Sequence, residues 1–95
     1  MITLTEQRQC LAIAKHRKQV NDLTTFENFI TAINNELDEL VDTDFLISEH
    51  LPEYSDTAEE IADVVITCMS MAEFYDIDLG KVIEAKIRYN NQRTD

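Results

Sequence analysis

The chain has 95 residues, a length that fits one domain and leaves little room for a second. It carries 19 Asp and Glu against 8 Lys and Arg, and the resulting net charge of −11 argues against nucleic-acid backbones and anionic membrane surfaces as partners. One Gly, one Pro and no Trp leave little turn chemistry for a β-rich fold, so the composition favours helices.

The first half of the chain predicts two helices. The motif Thr3-x-x-Glu6 has the spacing of a capping box and opens a first helix that extends to about Val20. A second such spacing, Thr24-x-x-Glu27, opens a second helix, which we expect to end between residues 44 and 49. Apolar residues recur along this helix at the spacing of a single helical stripe. They are Phe26, Phe29, Ile30, Ile33, Leu37, Leu40 and Val41.

The second half predicts two more helices. The segment 51–55 contains the only Pro and is interpreted as a connector. Asp56 is the predicted N-cap of a third helix that runs to about Tyr75. After a short turn, a fourth helix is expected over residues 79–92. The chain is therefore predicted to be a single all-α domain over residues 1–95, with the second and third helices paired as an antiparallel hairpin.

The predicted third helix is apolar around most of its circumference. Its apolar residues are Ala58, Ile61, Ala62, Val64, Val65, Ile66, Cys68, Met69, Met71 and Ala72. Such a helix is buried on several sides, which one hairpin cannot provide. We therefore expect a second copy of the chain to cover it, so that oligomerisation completes a helical bundle. The remaining polar strip holds Glu60, Asp63, Thr67 and Ser70.

Two pairs of carboxylates are candidate metal ligands. Glu36 and Glu39 lie three residues apart on the second helix, and Glu60 and Asp63 repeat the spacing on the third. If these helices pack antiparallel, the four side chains can converge, and a cation would relieve their repulsion. Oxygen ligands suit Mg²⁺ or Mn²⁺, which can bind phosphate oxygens and support phosphoryl chemistry. Glu-x-x-Glu pairs are also common on exposed helices, where the carboxylates are only solvated.

Charge is distributed unevenly along the chain. Residues 21–80 contain sixteen Asp and Glu and no Lys or Arg, which fits either a solvated acidic surface or an acidic centre that requires a cation. Cys10 and Cys68 are too few for a disulfide framework and have no zinc-binding spacing, so Cys68 is expected to be a reduced core residue. The longest apolar run, residues 61–72, is shorter than a membrane span. We expect a cytoplasmic protein with no nucleic-acid or membrane partner.

Other acid-rich or phosphate-binding sites fit the sequence less well. Di-iron bundles use Glu-x-x-His motifs, but His16 and His50 are preceded at that spacing by Ile13 and Ile47. An EF-hand requires alternating oxygen ligands and a central Gly, a pattern that residues 42–45 do not continue. The sequence has no Gly-rich phosphate-binding loop.

The predicted fourth helix carries a basic counterpart to the acids. Lys86, Asn90 and Arg93 have spacings of four and three residues and so share one face. Two cations and an amide there could bind phosphate oxygens. The alternative is that they only place favourable positive charge at the C-terminus of a helix.

In this combination the sequence resembles the MazG-like all-α nucleoside triphosphate pyrophosphohydrolases. The signature of that family is Glu-x-x-Glu, a spacer of variable length and Glu-x-x-Asp. Here it reads Glu36-Leu-Asp-Glu39, twenty residues, and Glu60-Ile-Ala-Asp63. The later motif Lys86-x-x-x-Asn90-x-x-Arg93 looks like the family's downstream stretch, and the likeness covers residues 26–93.

The resemblance implies a four-helix fold completed as a homodimer or homotetramer. It also implies Mg²⁺-dependent hydrolysis of (deoxy)nucleoside triphosphates to the nucleoside monophosphate and pyrophosphate, for cleaning or control of the nucleotide pool. The four acids would hold one or more Mg²⁺ ions, and an activated water would attack the α-phosphorus. Glu39 or Glu36 would act as the catalytic base. The residues that bind phosphate oxygens would be Lys86, Asn90 and Arg93.

Two departures from the family pattern leave the base preference open. Leu37 or Asp38 stands where the family usually has Gly, and the chain lacks the Trp that often faces the base. The candidates for base contact are Phe26, Phe29, His16 and Tyr89. The alternative function is a non-catalytic acidic helical module that binds a protein partner.

Overall fold

The computed structural model of the chain describes residues 1–94. Within that range it contains four α-helices and no strand, which confirms the all-α prediction. The helices are α1 (Leu4–His16), α2 (Phe26–Val41), α3 (Asp56–Phe74) and α4 (Leu79–Gln92). Over the same residues, no helix combines the length and the apolar character needed to cross a bilayer.

The central helix is α3, which packs against α1 on one side and α2 on another. Both neighbours run antiparallel to it, and the rings of Phe29 and Phe74 meet edge-on at 5.1 Å where α2 begins and α3 ends. The Cα atoms of α1 and α2 do not approach within 8 Å of each other, so a space lies between these two helices. The buried core is small: Leu11, Ala14, Val20 and Phe29 form one cluster with Met71 and Phe74 packed against it, and Met69 and Ala72 of α3 are also buried.

The first helix ends at His16, earlier than the predicted end near Val20. The chain turns at Lys18, whose φ of 63° lies in the left-handed region, and the Gln19 amide donates to the carbonyl of Ala14. This is the Schellman closure, which usually places Gly or Asn at the left-handed position. Because Lys occupies it here, no residue in the sequence marked the end of the helix.

The second helix begins one residue later than predicted. Its capping box is formed by Thr25 and Asn28, not by Thr24 and Glu27. The Thr24 hydroxyl instead accepts a hydrogen bond from the Asn21 amide at 2.9 Å in the preceding turn. Both threonines have the chemistry of an N-cap, and this local turn decides between them.

The second helix also ends at Val41, before the range predicted for its end. The amides of residues 44–46 donate at 2.9–3.3 Å to the side chains of Asp56 and Thr57, at the start of α3. These hydrogen bonds give the loop a partner that competes with continuation of the helix. Ser55, not Asp56, is therefore the N-cap of α3, and the Asp56 carboxylate holds the loop instead.

A buried glutamine joins α1 to the turn between α3 and α4. Gln7 is 1% exposed, and its Nε2 donates to Glu73 Oε1 at 3.0 Å and to the Ile77 carbonyl at 2.6 Å. Its Oε1 accepts a hydrogen bond from the Leu79 amide at 3.1 Å. One side chain therefore connects three elements of the chain.

The fourth helix matches its predicted bounds and is attached at its N-terminal end. At Gly80 an added Cβ would lie 2.5 Å from the carbonyl oxygen of Ile2, so the two backbones are in close contact there. From Lys81 to residue 94 every described residue is exposed. The rest of α4 therefore extends away from the other helices.

Candidate functional site

The polar strip of α3 faces the other helices. Its four residues are half-buried or buried and are Glu60, Asp63, Thr67 and Ser70. On the opposite side of the same half of α3, Ile61 is 50% exposed and Val65 is 37% exposed. The helix therefore places its acids inside the molecule and part of its apolar surface outside.

Three of the four predicted acids come together between α2 and α3. Glu36, Glu60 and Asp63 each place one carboxylate oxygen within 4.8 Å of the other two. Two oxygens in this group, Glu36 Oε2 and Glu60 Oε1, are buried and have no hydrogen-bond partner among the described residues. Glu39 is exposed and lies outside the three-carboxylate group.

The proximity of these acids changes their protonation. The pKa of Glu60 is raised to about 8, first by its contact with Glu36, then by burial and by the charges of Glu36 and Asp63, and last by a contact with Glu39. The pKa of Asp63 is raised by burial and by the charge of Glu36. Either a shared proton or a cation would satisfy the two unpartnered oxygens, since both remove the like-charge repulsion.

The donor set suits a hard divalent cation. All three groups are carboxylates, the ligand type that Mg²⁺ prefers. Two ligand oxygens on opposite sides of one Mg²⁺ are about 4.2 Å apart, because each bond is 2.0–2.1 Å long. Three oxygens on one Mg²⁺ must include adjacent pairs about 3 Å apart, so oxygens that lie within 4.8 Å of one another would have to draw closer when the ion binds. The donor chemistry of the residues present fits an ion of this kind.

A cavity of about 440 Å³ lies between α1, α2 and α3 and reaches the acids at Glu36. Phe29 contributes an aromatic surface to its wall, and amide side chains come from Asn28 and Asn35. Ser70 also lines it; this residue is 5% exposed, and its hydroxyl makes no hydrogen bond within residues 1–94. The cavity thus offers amide and hydroxyl groups and the cationic side chain of Arg17 beside Glu36, with the largely buried Phe29 ring in its wall.

Of the four residues predicted to contact a base, only Phe29 lines this cavity. Phe26 packs on Tyr75, with ring centroids 6.1 Å apart, and lines a separate apolar groove. His16 is exposed in the last turn of α1. Tyr89 lies on α4 beneath a lysine. The amide side chains of Asn28 and Asn35 were not predicted from the sequence as cavity residues. Their seven-residue spacing places them on one face of α2 with Glu36.

The basic tail forms a group of its own on α4. Lys86 Nζ lies 4.7 Å from the centre of the Tyr89 ring, and the Arg93 guanidinium lies 5.8 Å from it. Arg93 Nη1 also donates to Asn90 Oδ1 at 3.1 Å. Within the described residues, neither Lys86 nor Asn90 makes a hydrogen bond or ion pair with the acids. The structure therefore brings the tail residues together but does not bring Lys86 or Asn90 to the carboxylates.

A polar cluster of Ser48, His50 and Glu59 beside the acids was also not predicted from the sequence. The Ser48 hydroxyl and His50 Nδ1 contact the two carboxylate oxygens of Glu59, with 2.9 Å between Nδ1 and Oε1. Glu59 precedes Asp63 by four residues, so the two acids are neighbours on the surface of α3. That spacing was visible in the sequence, but the position of the loop that carries Ser48 and His50 was not.

Comparison of the chain with protein-family models, with curated proteins and with solved structures finds no match. The resemblance to the MazG-like enzymes therefore stays a prediction from the motifs. The function of the chain is therefore inferred from its carboxylates, its cavity and its charges.

Proposed function

We propose that the protein is a Mg²⁺-dependent nucleoside triphosphate pyrophosphohydrolase. The observation that carries the proposal is the group of three carboxylates, with two buried and unpartnered oxygens, at the edge of a cavity. Such a group is costly to bury unless a cation or proton neutralises it. A cation there could bind the triphosphate of a nucleotide while the adjoining cavity holds its nucleoside.

In this proposal Glu36, Glu60 and Asp63 would hold the Mg²⁺. The ion would neutralise charge on the phosphates and make the attacking water more acidic. The oxygen of the attacking water forms a bond to the α-phosphorus, and the bond from that phosphorus to the bridging oxygen breaks, which releases pyrophosphate. We assign Glu39 as the base that accepts the proton of the water. Glu39 is exposed and lies close enough to Glu60 to affect the pKa of Glu60. Glu36 is then a ligand and not the base.

The cavity gives the nucleoside a place beside the acids. Its α2 wall runs from Asn28 to Glu36, a distance of about 12 Å along the helix axis. The phosphates would lie at the Glu36 end and the base near Ser70 and Phe29 at the other. Assignment of phosphate binding to Lys86, Asn90 and Arg93 depends on the family resemblance alone.

The shape of the single chain supports an oligomer, as a dimer or tetramer. Its accessible surface is 7325 Å², whereas a compact monomer of 11.0 kDa has about 5,600 Å². Its radius of gyration is 14.9 Å, against about 12 Å for a compact chain of this length. The excess surface of about 1,700 Å² exceeds the roughly 800 Å² that each partner contributes to a standard interface. The outward apolar face of α3 is the surface that we assign to a second copy.

The decisive experiment is a panel of ribo- and deoxynucleoside triphosphates incubated with Mg²⁺, with pyrophosphate and nucleoside monophosphate as the measured products. Glu60→Gln is expected to abolish turnover and to weaken Mg²⁺ binding. Glu53→Gln, which removes an exposed carboxylate in the loop, is the matched control and should leave both unchanged. No turnover of any nucleotide, together with unchanged Mg²⁺ binding in Glu60→Gln, would instead support the non-catalytic acidic module.

A further inference from the structure

Ser48, Glu59 and His50 form a hydrogen-bonded cluster in which Glu59 holds the His50 imidazole; we call this cluster the His50 arm. Ser48 is 2% exposed, donates to Glu59 Oε2 and also accepts a hydrogen bond from the Leu51 amide at 3.0 Å. The other carboxylate oxygen of Glu59 lies 2.9 Å from His50 Nδ1. Both oxygens of Glu59 are therefore engaged, and the imidazole is held on one side.

The arm lies next to the three-carboxylate group. Glu59 is one residue before Glu60 and one helical turn before Asp63, so its carboxylate neighbours the acids on the surface of α3. The positive charge of His50 acts on Asp63, where it opposes the burial and the acidic neighbours that raise the pKa of this residue. The imidazole therefore lies within electrostatic reach of the proposed ion.

The remaining ring nitrogen of His50 is available to a ligand. The side chain of His50 is 83% exposed, and within residues 1–94 its Nε2 has no hydrogen-bond partner. Fixing one imidazole nitrogen by a carboxylate sets the direction of the other. Residues 21–80 contain no Lys or Arg, so His50 is the only side chain of that stretch that can carry a positive charge near the acids.

We propose that His50 is a phosphate-binding residue of this site, with its Nε2–H donating to a non-bridging oxygen of the β- or γ-phosphate while Glu59, fixed by Ser48, positions the ring. The proposal rests on the proposed function, since it names a contact to the triphosphate and to the pyrophosphate that leaves. The hydrogen bond to Glu59 and its negative charge raise the pKa of His50, which favours the imidazolium and hence a donor at Nε2. Nearby Glu49 and Asp63 act in the same direction.

The direct test is NMR of the imidazole nitrogens in the full chain, titrated with Mg²⁺ alone and then with Mg²⁺ and pyrophosphate. The chain has two histidines, and His16 is the internal control because it is exposed at the end of α1. We expect pyrophosphate to shift the Nε2 resonance of His50 while His16 stays in place. Unchanged His50 resonances at saturating pyrophosphate would overturn the proposal, and so would a full shift produced by Mg²⁺ alone.

Kinetics of variants separate this role from one in loop structure. His50→Gln is expected to lower kcat/KM for the triphosphate by about 10- to 100-fold, the range for loss of one charge-assisted hydrogen bond, and to weaken pyrophosphate inhibition equally. His16→Gln is the matched control and should change neither. At high pH, kcat/KM falls as His50 loses its proton, and Glu59→Gln should shift this fall to a lower pH because the imidazolium loses its partner. A purely structural role would leave that pH unchanged.

The two proposals fail in different ways. A wild-type chain that hydrolyses no nucleotide but still shows the His50 shift with pyrophosphate would overturn the enzyme assignment and keep the phosphate contact. A wild-type chain that releases pyrophosphate while His50→Gln has unchanged kcat/KM would keep the enzyme and overturn the role of His50.

Discussion

At the residue scale, the carboxylates of Glu36 and Glu60 are in contact, and neither has a basic partner among residues 1–94. Their neighbours are other acids, and the Glu60 pKa of about 8 records how strongly this environment disfavours a second negative charge. An exposed Glu-x-x-Glu pair would not show such a shift, because water screens surface charges. The geometry thus separates these two residues from the many acids of the chain that are only solvated.

This contact predicts that the metal-free protein loses stability as the pH rises. Glu60 holds its proton up to about pH 8 in the folded chain but only to about 4.5 when unfolded, so the folded state binds more protons between these values. The free energy of unfolding in EDTA should therefore fall from pH 5 to pH 8, by at least about 1 kcal/mol, since one pKa unit corresponds to 1.36 kcal/mol. Urea unfolding at several pH values measures it.

The control for this prediction is Glu60→Gln, which should flatten most of the dependence. The raised pKa values of Asp63 and His50 act in the same direction and leave a residual slope. The lowered pKa of Glu59, caused by its hydrogen bonds to Ser48 and His50, acts only below its ordinary value and so outside this range. Added Mg²⁺ should restore stability at pH 8 in the wild type, and stability that increased with pH in EDTA would contradict the assignment.

At the element scale, Gln7 determines how α1, α3 and α4 are held together. Its amide fills three hydrogen-bonding positions, two of them on the backbone of the α3–α4 turn. Backbone groups in such a turn have no helical partner of their own, so the side chain supplies what the secondary structure lacks. A single buried amide therefore fixes where the last helix starts.

Replacing this amide by a side chain of similar size without polar groups should destabilise the fold. Gln7→Met leaves the Leu79 amide and the Ile77 carbonyl without partners, and we expect a loss of about 2–4 kcal/mol in the free energy of unfolding. Chemical denaturation measures the difference. Gln9→Met changes an exposed residue of the same helix and should stay within about 0.5 kcal/mol of the wild type. Equal losses of stability in the two variants would show that the Gln7 amide does not hold α1 to the α3–α4 turn.

The close backbone contact at Gly80 gives a prediction whose sign is informative. By helix propensity alone Gly80→Ala would stabilise α4 by about 1 kcal/mol. Because the new Cβ would lie 2.5 Å from the Ile2 carbonyl oxygen, we expect instead a loss of about 1–3 kcal/mol. Ala85→Gly, in the exposed part of α4, calibrates the propensity alone and should cost about 1 kcal/mol. A more stable Gly80→Ala protein would show that the contact is absent.

The helices were predictable from the sequence, but several of their ends were not. The apolar stripe of α2 and the short turn before α4 are local signals; the first located its helix without fixing the ends, and the second gave the bounds of α4 correctly. The ends near Lys18 and Val41 depend on a left-handed lysine and on loop amides bound by the start of α3. The lysine is a residue type that rarely takes a left-handed conformation, so it gave no signal for the end of α1. The loop amides bind side chains ten or twelve positions further along the chain, which local spacing does not reveal.

The candidate site also has parts that the sequence predicted and parts that it did not. The convergence of Glu36 with Glu60 and Asp63 followed from helical spacing and an antiparallel hairpin, both readable from the sequence. The position of Glu39 outside the group depends on the exact rotation of α2, which periodicity does not resolve. The His50 arm depends on the path of an irregular loop, and no pattern in the sequence specifies that path.

At the scale of the whole molecule, α3 is the unusual element. In the half of the helix that carries the acids, its polar strip faces α2 and the cavity, and apolar residues face outward. A helix normally turns its apolar stripe to its own core. The reversed arrangement is understandable if the interior is a site and the outer face is covered by a second chain.

This arrangement predicts that a charge on the outer face of α3 dissociates the protein. Val65→Glu is expected to convert a dimer or larger species into monomers, because it would bury an unpaired carboxylate in an apolar interface. Sedimentation equilibrium measures the change. Leu23→Glu, at a residue that is 86% exposed in the loop before α2, is the control and should not alter the mass. A wild-type chain that is monomeric at high concentration would contradict the oligomer proposal.

The attachment of α4 at one end makes this helix a lever arm. Arg93 lies thirteen residues beyond Gly80, which corresponds to about 20 Å along the axis. A rotation of only 10° at the joint would move the tip by about 3 Å, the length of a hydrogen bond. The reach of the cationic tip is therefore governed by a glutamine and a glycine at the opposite end of the helix, where ordinary thermal bending is amplified along its length.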